Sequence, residues 1–116
     1  MTAEFTLKQN SDFHRLYGRG KSESSPVLVT YALKSRQPYS RVGITTSKKI
    51  GSAVERNRCR RVIRAAYSSL KGDVKPGYDL VFVARHRTKN VKMQVVAESM
   101  RRQLVDLGVI EKVSGE

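Results

Sequence analysis

Apolar residues recur along this chain with two different periods, and the switches between them mark out its elements. Cys59, Val62, Ile63, Ala66, Tyr67 and Leu70 fall at i, i+3, i+4, i+7, i+8 and i+11, the stripe of an amphipathic helix. Ser52 with Glu55 three residues on reads as a capping box, so this helix is predicted to start near Ala53, with Gly72 as its stop. Met93, Val96, Ala97, Met100, Leu104 and Leu107 predict a second long helix from about Asn90, closed by Gly108. A shorter helix runs through Phe13, Leu16 and Tyr17, with Ser11 or Asp12 as cap and Gly18-Arg19-Gly20 as terminator.

Between the helices the period drops towards two, or the apolar run becomes continuous. Val27–Lys34 is β-branched and aromatic enough for a strand, and Arg41–Thr46 alternates Val42 and Ile44 with small or polar neighbours. Tyr78–Ala84 is the most apolar run and predicts the central strand. Lys21–Pro26 is serine-rich, a loop or weak edge strand, and Ser35–Ser40 with Pro38 is a hairpin-type connection. Residues 1–9 and 109–116 read as flexible tails of a single domain spanning 1–116. The order α-β-β-β-α-β-α predicts a small α+β two-layer sandwich, and the general rule makes its βαβ crossover right-handed.

Charge changes the picture from fold to partner. The 116 residues hold 23 Lys plus Arg against 10 Asp plus Glu, a net charge of +13, which points to nucleic acid or another anionic surface. No apolar run approaches the roughly 18 residues of a membrane span, and no signal-peptide core opens the chain. The single Cys59 excludes an internal disulfide or a cysteine zinc cluster and suits a reducing cytoplasm. On the apolar stripe, it reads as a core residue.

The charge is concentrated on the capped helix. From Lys48 to Arg64 there are two lysines and five arginines against the single acid Glu55. Arg56, Arg60 and Arg64 lie four apart on one flank, and Asn57, Arg58 and Arg61 continue the polar surface. Like charges so placed destabilise a free helix, so a polyanion is the expected neutraliser. Lys48, Lys49 and Ser47 beside the helix N-terminus make a natural phosphate site. Phe13 and Tyr17, near Arg15, Arg19 and Lys21, read either as core or as a stacking platform for unpaired bases.

Catalytic constellations are missing. The acids are scattered singly, with no metal-ligand spacing and no Gly-rich phosphate loop, and His14 and His86 are lone histidines in basic surroundings. The residues alone leave open a protein that binds structural RNA without cutting it, or a nuclease using those histidines.

Ser47-Lys48-Lys49-Ile50-Gly51, then Ala53-Val54 and Arg56-Asn57-Arg58-x-Arg60-Arg61-x-x-Arg64, closely resembles the "RNR" signature of the bacterial ribonuclease P protein subunit. The match is ungapped, and agreement extends over roughly residues 7 to 107, through Asp12-Phe13, Tyr17, Tyr31, Gly77-Tyr78-Asp79 and Ala84-Arg85. The resemblance implies the ribonuclease P protein / ribosomal protein S5 domain 2-like fold, with a left-handed βαβ crossover against the general rule. It implies a cofactor of a ribozyme that removes the 5′ leader of precursor tRNA, using Mg²⁺ held mainly by RNA and substrate, with one protein per RNA. Lys48, Lys49, Arg56, Asn57, Arg58, Arg60, Arg61 and Arg64 inherit contact with the catalytic RNA. Phe13, Tyr17 and Tyr31 inherit a cleft for the single-stranded leader, with Arg15 and Lys34 as neighbours. No residue of the protein inherits a catalytic or metal-binding role.

Three positions depart from the family pattern. Lys8 is the only basic residue ahead of the first helix, Tyr17 stands where Phe is common, and Glu55 puts an acid before the RNR triplet. Glu55 is expected to act as the cap partner of Ser52.

Overall fold

The computed structural model describes residues 5–7 and 9–112. Lys8 and the outermost residues of both expected tails lie outside the described residues. In chain order the elements are β1 (Phe5–Thr6), α1 (Asn10–Arg19), β2 (Lys21–Ser24), β3 (Leu28–Lys34), β4 (Arg41–Thr45), α2 (Ala53–Leu70), β5 (Tyr78–Ala84) and α3 (Met93–Asp106). They form one five-stranded sheet in the order β1-β4-β5-β3-β2.

The most apolar strand takes the centre because it must be covered on both faces. β5 pairs antiparallel with β3, from Leu28↔Ala84 to Lys34↔Tyr78, and parallel with β4, from Arg41↔Asp79 to Thr45↔Val83. Alternation along β5 then sorts the core. Leu80, Phe82 and Ala84 join the stripe of α2 and the buried face of α3, while Val81 joins Leu16 of α1 and Leu7 on the other face. The sheet and the α2/α3 layer make the expected sandwich, and α1 adds a partial cover opposite. That leaves part of the second face open beside α1.

Several boundaries differ from the sequence expectations. The predicted leader contains β1, parallel to β4, and Leu7 is buried with its N–H on the Val42 carbonyl at 2.9 Å. The predicted C-terminal tail begins with buried Val109 and Ile110. Gly108, at φ +80°, turns the chain back so that both their N–H groups reach the Leu104 carbonyl at 2.8 and 3.1 Å. α1 starts earlier than predicted, with Gln9 as its cap and Asp12 in its first turn, and it runs through Gly18.

Residues 86–90 form a separate 3-10 turn, and α3 starts at Met93 rather than near Asn90. Thr88 pins that turn: its hydroxyl accepts from the Arg85 N–H at 2.8 Å and donates to the Val27 carbonyl at 2.6 Å. Gln103 of α3 is a buried polar residue that periodicity did not single out. It accepts from the Thr30 hydroxyl at 2.6 Å and donates to the Leu28 carbonyl at 2.8 Å, which satisfies both ends of the amide.

Candidate nucleic-acid interface

The capping box predicted for α2 is formed. Glu55 N–H donates to Ser52 Oγ at 3.2 Å, and Ser52 N–H donates to Glu55 Oε1 at 3.0 Å. The Ser52 N–H and then Lys89 hold the Glu55 carboxyl below its ordinary pKa. Lys89 Nζ lies 3.4 Å from Glu55 and donates to the Ile50 carbonyl at 2.9 Å, tying the 86–90 turn to the loop before α2. Gly51 makes this possible: at φ +147° it sits where a Cβ would run into the Glu55 carboxylate. The helix N-terminus expected to meet a phosphate is therefore already capped by an internal acid.

The cationic residues around α2 divide into two groups. Arg56 donates to the Gly51 carbonyl at 2.8 Å, and Arg58 donates to the carbonyls of Lys89 and Val91 at 3.0 and 3.3 Å. These two guanidiniums brace the fold. Lys48, Lys49, Arg60, Arg61 and Arg64 are exposed, with no hydrogen bond or ion pair among the described residues, and Asn57 is exposed beside them. Cys59 is fully buried and burial pushes its thiol pKa up, which suits its reading as core.

On the other face of the sheet, α1 presents an aromatic chain. Tyr17 meets Tyr31 of β3 edge-on with ring centroids 4.9 Å apart, and Phe13 lies 6.4 Å from Tyr17. Phe13 can lie flat on the sheet because β4 has Gly43 beneath it. Leu16 is the fully buried member of this helix face, whereas Tyr17 is 42% exposed. Leu16 is core, Phe13 is half-buried, and Tyr17 offers a ring to solvent.

Arg15 does not point freely into solvent. It donates to Asp79 at 2.8 Å and to Asp12 at 3.3 Å. Lys34 is exposed at the end of β3 and lines a shallow groove with Arg15, Arg19, Arg36 and Arg41. At the opposite end of the sheet, Lys49 joins Arg85, His86 and Arg87 around a second basic concavity floored by Val29 and Val83. Lys49 and Arg85 lie 36 positions apart in the chain, so no local spacing brings them together. Arg36 has no sequence signal beyond its charge.

The family model described as Ribonuclease P matches residues 1–108. The chain is 46% identical over 96 residues to the ribonuclease P protein component of Clostridioides difficile, covering 82% of this chain and 84% of that one. It is 35% identical over 113 residues to the corresponding protein of Geobacillus kaustophilus, covering 97% and 93%. Among solved structures, the Staphylococcus aureus RNase P protein superposes with a TM-score of 0.82 at 29% identity, over 94% of this chain and 100% of that one. The Thermotoga maritima RNase P protein gives 0.77 at 29% identity, over 92% and 98%.

With these matches over most of its length, the small α+β domain falls in the class of RNase P-type proteins. The chain belongs to the ribonuclease P protein family. It is the protein component of the endoribonuclease that processes tRNA 5′ ends, and its partner is the ribonuclease P RNA.

Proposed function

We propose that the two surfaces divide the work of this subunit. Lys48, Lys49, Arg60, Arg61 and Arg64, with Asn57, grip the catalytic RNA, while Arg56 and Arg58 hold the helix and its preceding loop in place for that contact. Phe13, Tyr17 and Tyr31 receive the single-stranded 5′ leader of precursor tRNA, and Lys34 meets its backbone. Arg15 acts through Asp79, fixing α1 against the sheet.

The observation that carries this reading is the set of exposed α2 cations without an internal acid. Arginine binds phosphate bidentately and stacks on bases, so a ridge of such residues suits folded RNA. The exposed edge of the Tyr17–Tyr31 pair suits unpaired bases, which stack on aromatic faces with little regard to sequence. That tolerance fits a substrate class whose leaders differ.

The reaction's Mg²⁺ belongs to the RNA and substrate in this reading. The nearby acids do not fit a metal site, because Asp12 and Asp79 are bound to arginines and Glu55 to Lys89. The protein's part is binding and positioning, as one copy per RNA in the cytoplasm. No helix among the described residues is long and apolar enough to cross a membrane.

Reconstitution tests the proposal. Added to a bacterial ribonuclease P RNA at low Mg²⁺, the protein should restore cleavage of precursor tRNA and favour precursor over mature tRNA in binding. Restored cleavage with equal affinity for both would remove the leader-binding surface from the proposal.

A further inference from the structure

Arg60, Arg64 and Tyr67 stand at i, i+4 and i+7 on α2, a stripe facing the outer edge of the sheet. Opposite them are Val42 and Ile44 of β4, Thr6 and Leu7, and the ring of Phe13. Together these residues line a half-open cavity of about 330 Å³. β1 ends at Thr6, and the last bond on that side is Leu7 N–H to the Val42 carbonyl. From Gly43 onward the outer edge of β4 has no strand partner among the described residues.

Two features separate this cavity from a packing gap. Its volume lies in the range of pockets that hold small organic groups, with aliphatic and aromatic walls. Its flank carries two guanidiniums, Arg60 and Arg64, that have no hydrogen bond or ion pair among the described residues. Their Cα positions are about 6 Å apart along the helix axis. Apolar walls beside paired cations match a nucleotide, whose flat base is apolar on its faces and whose two flanking phosphates are anionic.

We propose that this cavity takes one unstacked base of the catalytic RNA, with the phosphates on either side of that nucleotide bound by Arg60 and Arg64. The proposal rests on the reading of α2 as the surface towards that RNA. The leader is the other possible source of a base. The cavity favours the catalytic RNA because its cations belong to the α2 ridge, and because Phe13 alone of the leader-face aromatics lines it while Tyr17 and Tyr31 do not. A bulged or loop nucleotide, already unpaired, enters at the least cost.

Filling the cavity without touching charge tests this. Val42→Phe and Thr6→Trp intrude from different walls, and cooperative thermal melting establishes that each variant is folded. Each should weaken binding of the catalytic RNA alone about tenfold, the loss expected for one base–aromatic contact, with the slope of log affinity against log salt unchanged. Arg64→Gln should lower both affinity and slope. If Val42→Phe does not fold, Thr6→Trp decides.

Folded variants that bind the catalytic RNA within twofold of the parent would overturn the proposal. So would a loss confined to precursor tRNA, because the base would then come from the leader. In either case a weakened Arg64→Gln leaves the α2 reading standing, whereas an unaffected Arg64→Gln brings that reading down as well.

Discussion

Arg41 grips the buried carboxylate of Asp79 with both arms of its guanidinium, Nε to Oδ1 at 3.0 Å and Nη2 to Oδ2 at 2.8 Å. Asp79 lies on the central strand with no solvent exposure, so its charge is sustained only by such partners. Arg15 of α1 supplies a second, and the trio locks the first helix to strands β4 and β5. Asp79→Asn should therefore destabilise the protein by about 2–3 kcal/mol, below the range for a fully buried pair because both arginines can rehydrate. Urea midpoints measure this. A loss under about 0.5 kcal/mol, typical of surface changes, would show that the clamp is dispensable.

The same trio predicts a pH dependence. Burial alone would raise the Asp79 pKa, but hydrogen bonds from Arg41 and Arg15 reverse this and hold the carboxyl below its ordinary value. A carboxyl depressed in the folded state contributes stability fully above its unfolded pKa, about 3.9, and loses it as pH falls through the folded value. Unfolding measured between pH 3 and 7 should show the parent and Asp79→Asn curves converging towards the acid end. A gap that stays constant with pH would remove Asp79 ionisation as its cause.

The division among the arginines of α2 is also measurable. Arg61→Ala should leave stability within about 0.5 kcal/mol and reduce the slope of log RNA affinity against log salt by about 0.7–0.9. Arg58→Ala removes hydrogen bonds to two backbone carbonyls instead. It should cost about 0.5–1.5 kcal/mol of stability and leave the slope nearly unchanged. Equal slopes lost from both variants would mean that Arg58 swings out to the RNA.

The aromatic face should separate precursor binding from assembly. Tyr17→Ala should weaken binding of precursor tRNA to the assembled complex by about 1–3 kcal/mol, with assembly on the catalytic RNA unaffected. Arg60→Ala should do the reverse and weaken assembly. Titrations of each variant against the two RNAs check this, and matching losses on assembly alone would contradict the division.

Much of this was legible in the sequence because local signals and tertiary demands coincide. The stripe from Cys59 to Leu70 is wholly buried as its period requires, and the Ser52–Glu55 box forms both of its bonds. The continuous apolar run at Tyr78–Ala84 does occupy the centre of the sheet. Signals failed where a long-range contact decided the outcome. Val109 and Ile110 look like tail until Gly108 folds them back, and Leu7 is buried only because β1 reaches β4. Within the site, the charge of the α2 ridge was readable, but its partition was not. Arg58 and Lys89 are bound to backbone carbonyls that no spacing rule places beside them. Asp79 did carry a signal, since a lone acid in an apolar strand must find a buried cation, yet its partners Arg15 and Arg41 lie 64 and 38 residues away.

Gly43 is the position where backbone and recognition surface meet. A Cβ added there would lie 2.8 Å from two ring carbons of Phe13 and 3.2 Å from the Leu7 Cβ, so the ring rests on the sheet only because that Cβ is missing. Gly43→Ala should cost about 1–3 kcal/mol, the range for overpacking a filled core. It should also weaken precursor binding by tilting Phe13 away from Tyr17. The cause is separable by a double-mutant cycle with Phe13→Leu, measured by urea unfolding. With the smaller side chain in place, the added methyl should lose at least half of its effect, because contacting residues couple. An undiminished cost in the Phe13→Leu background would place the strain in the β4 backbone or against Leu7, and would free the Phe13 ring from any dependence on this glycine.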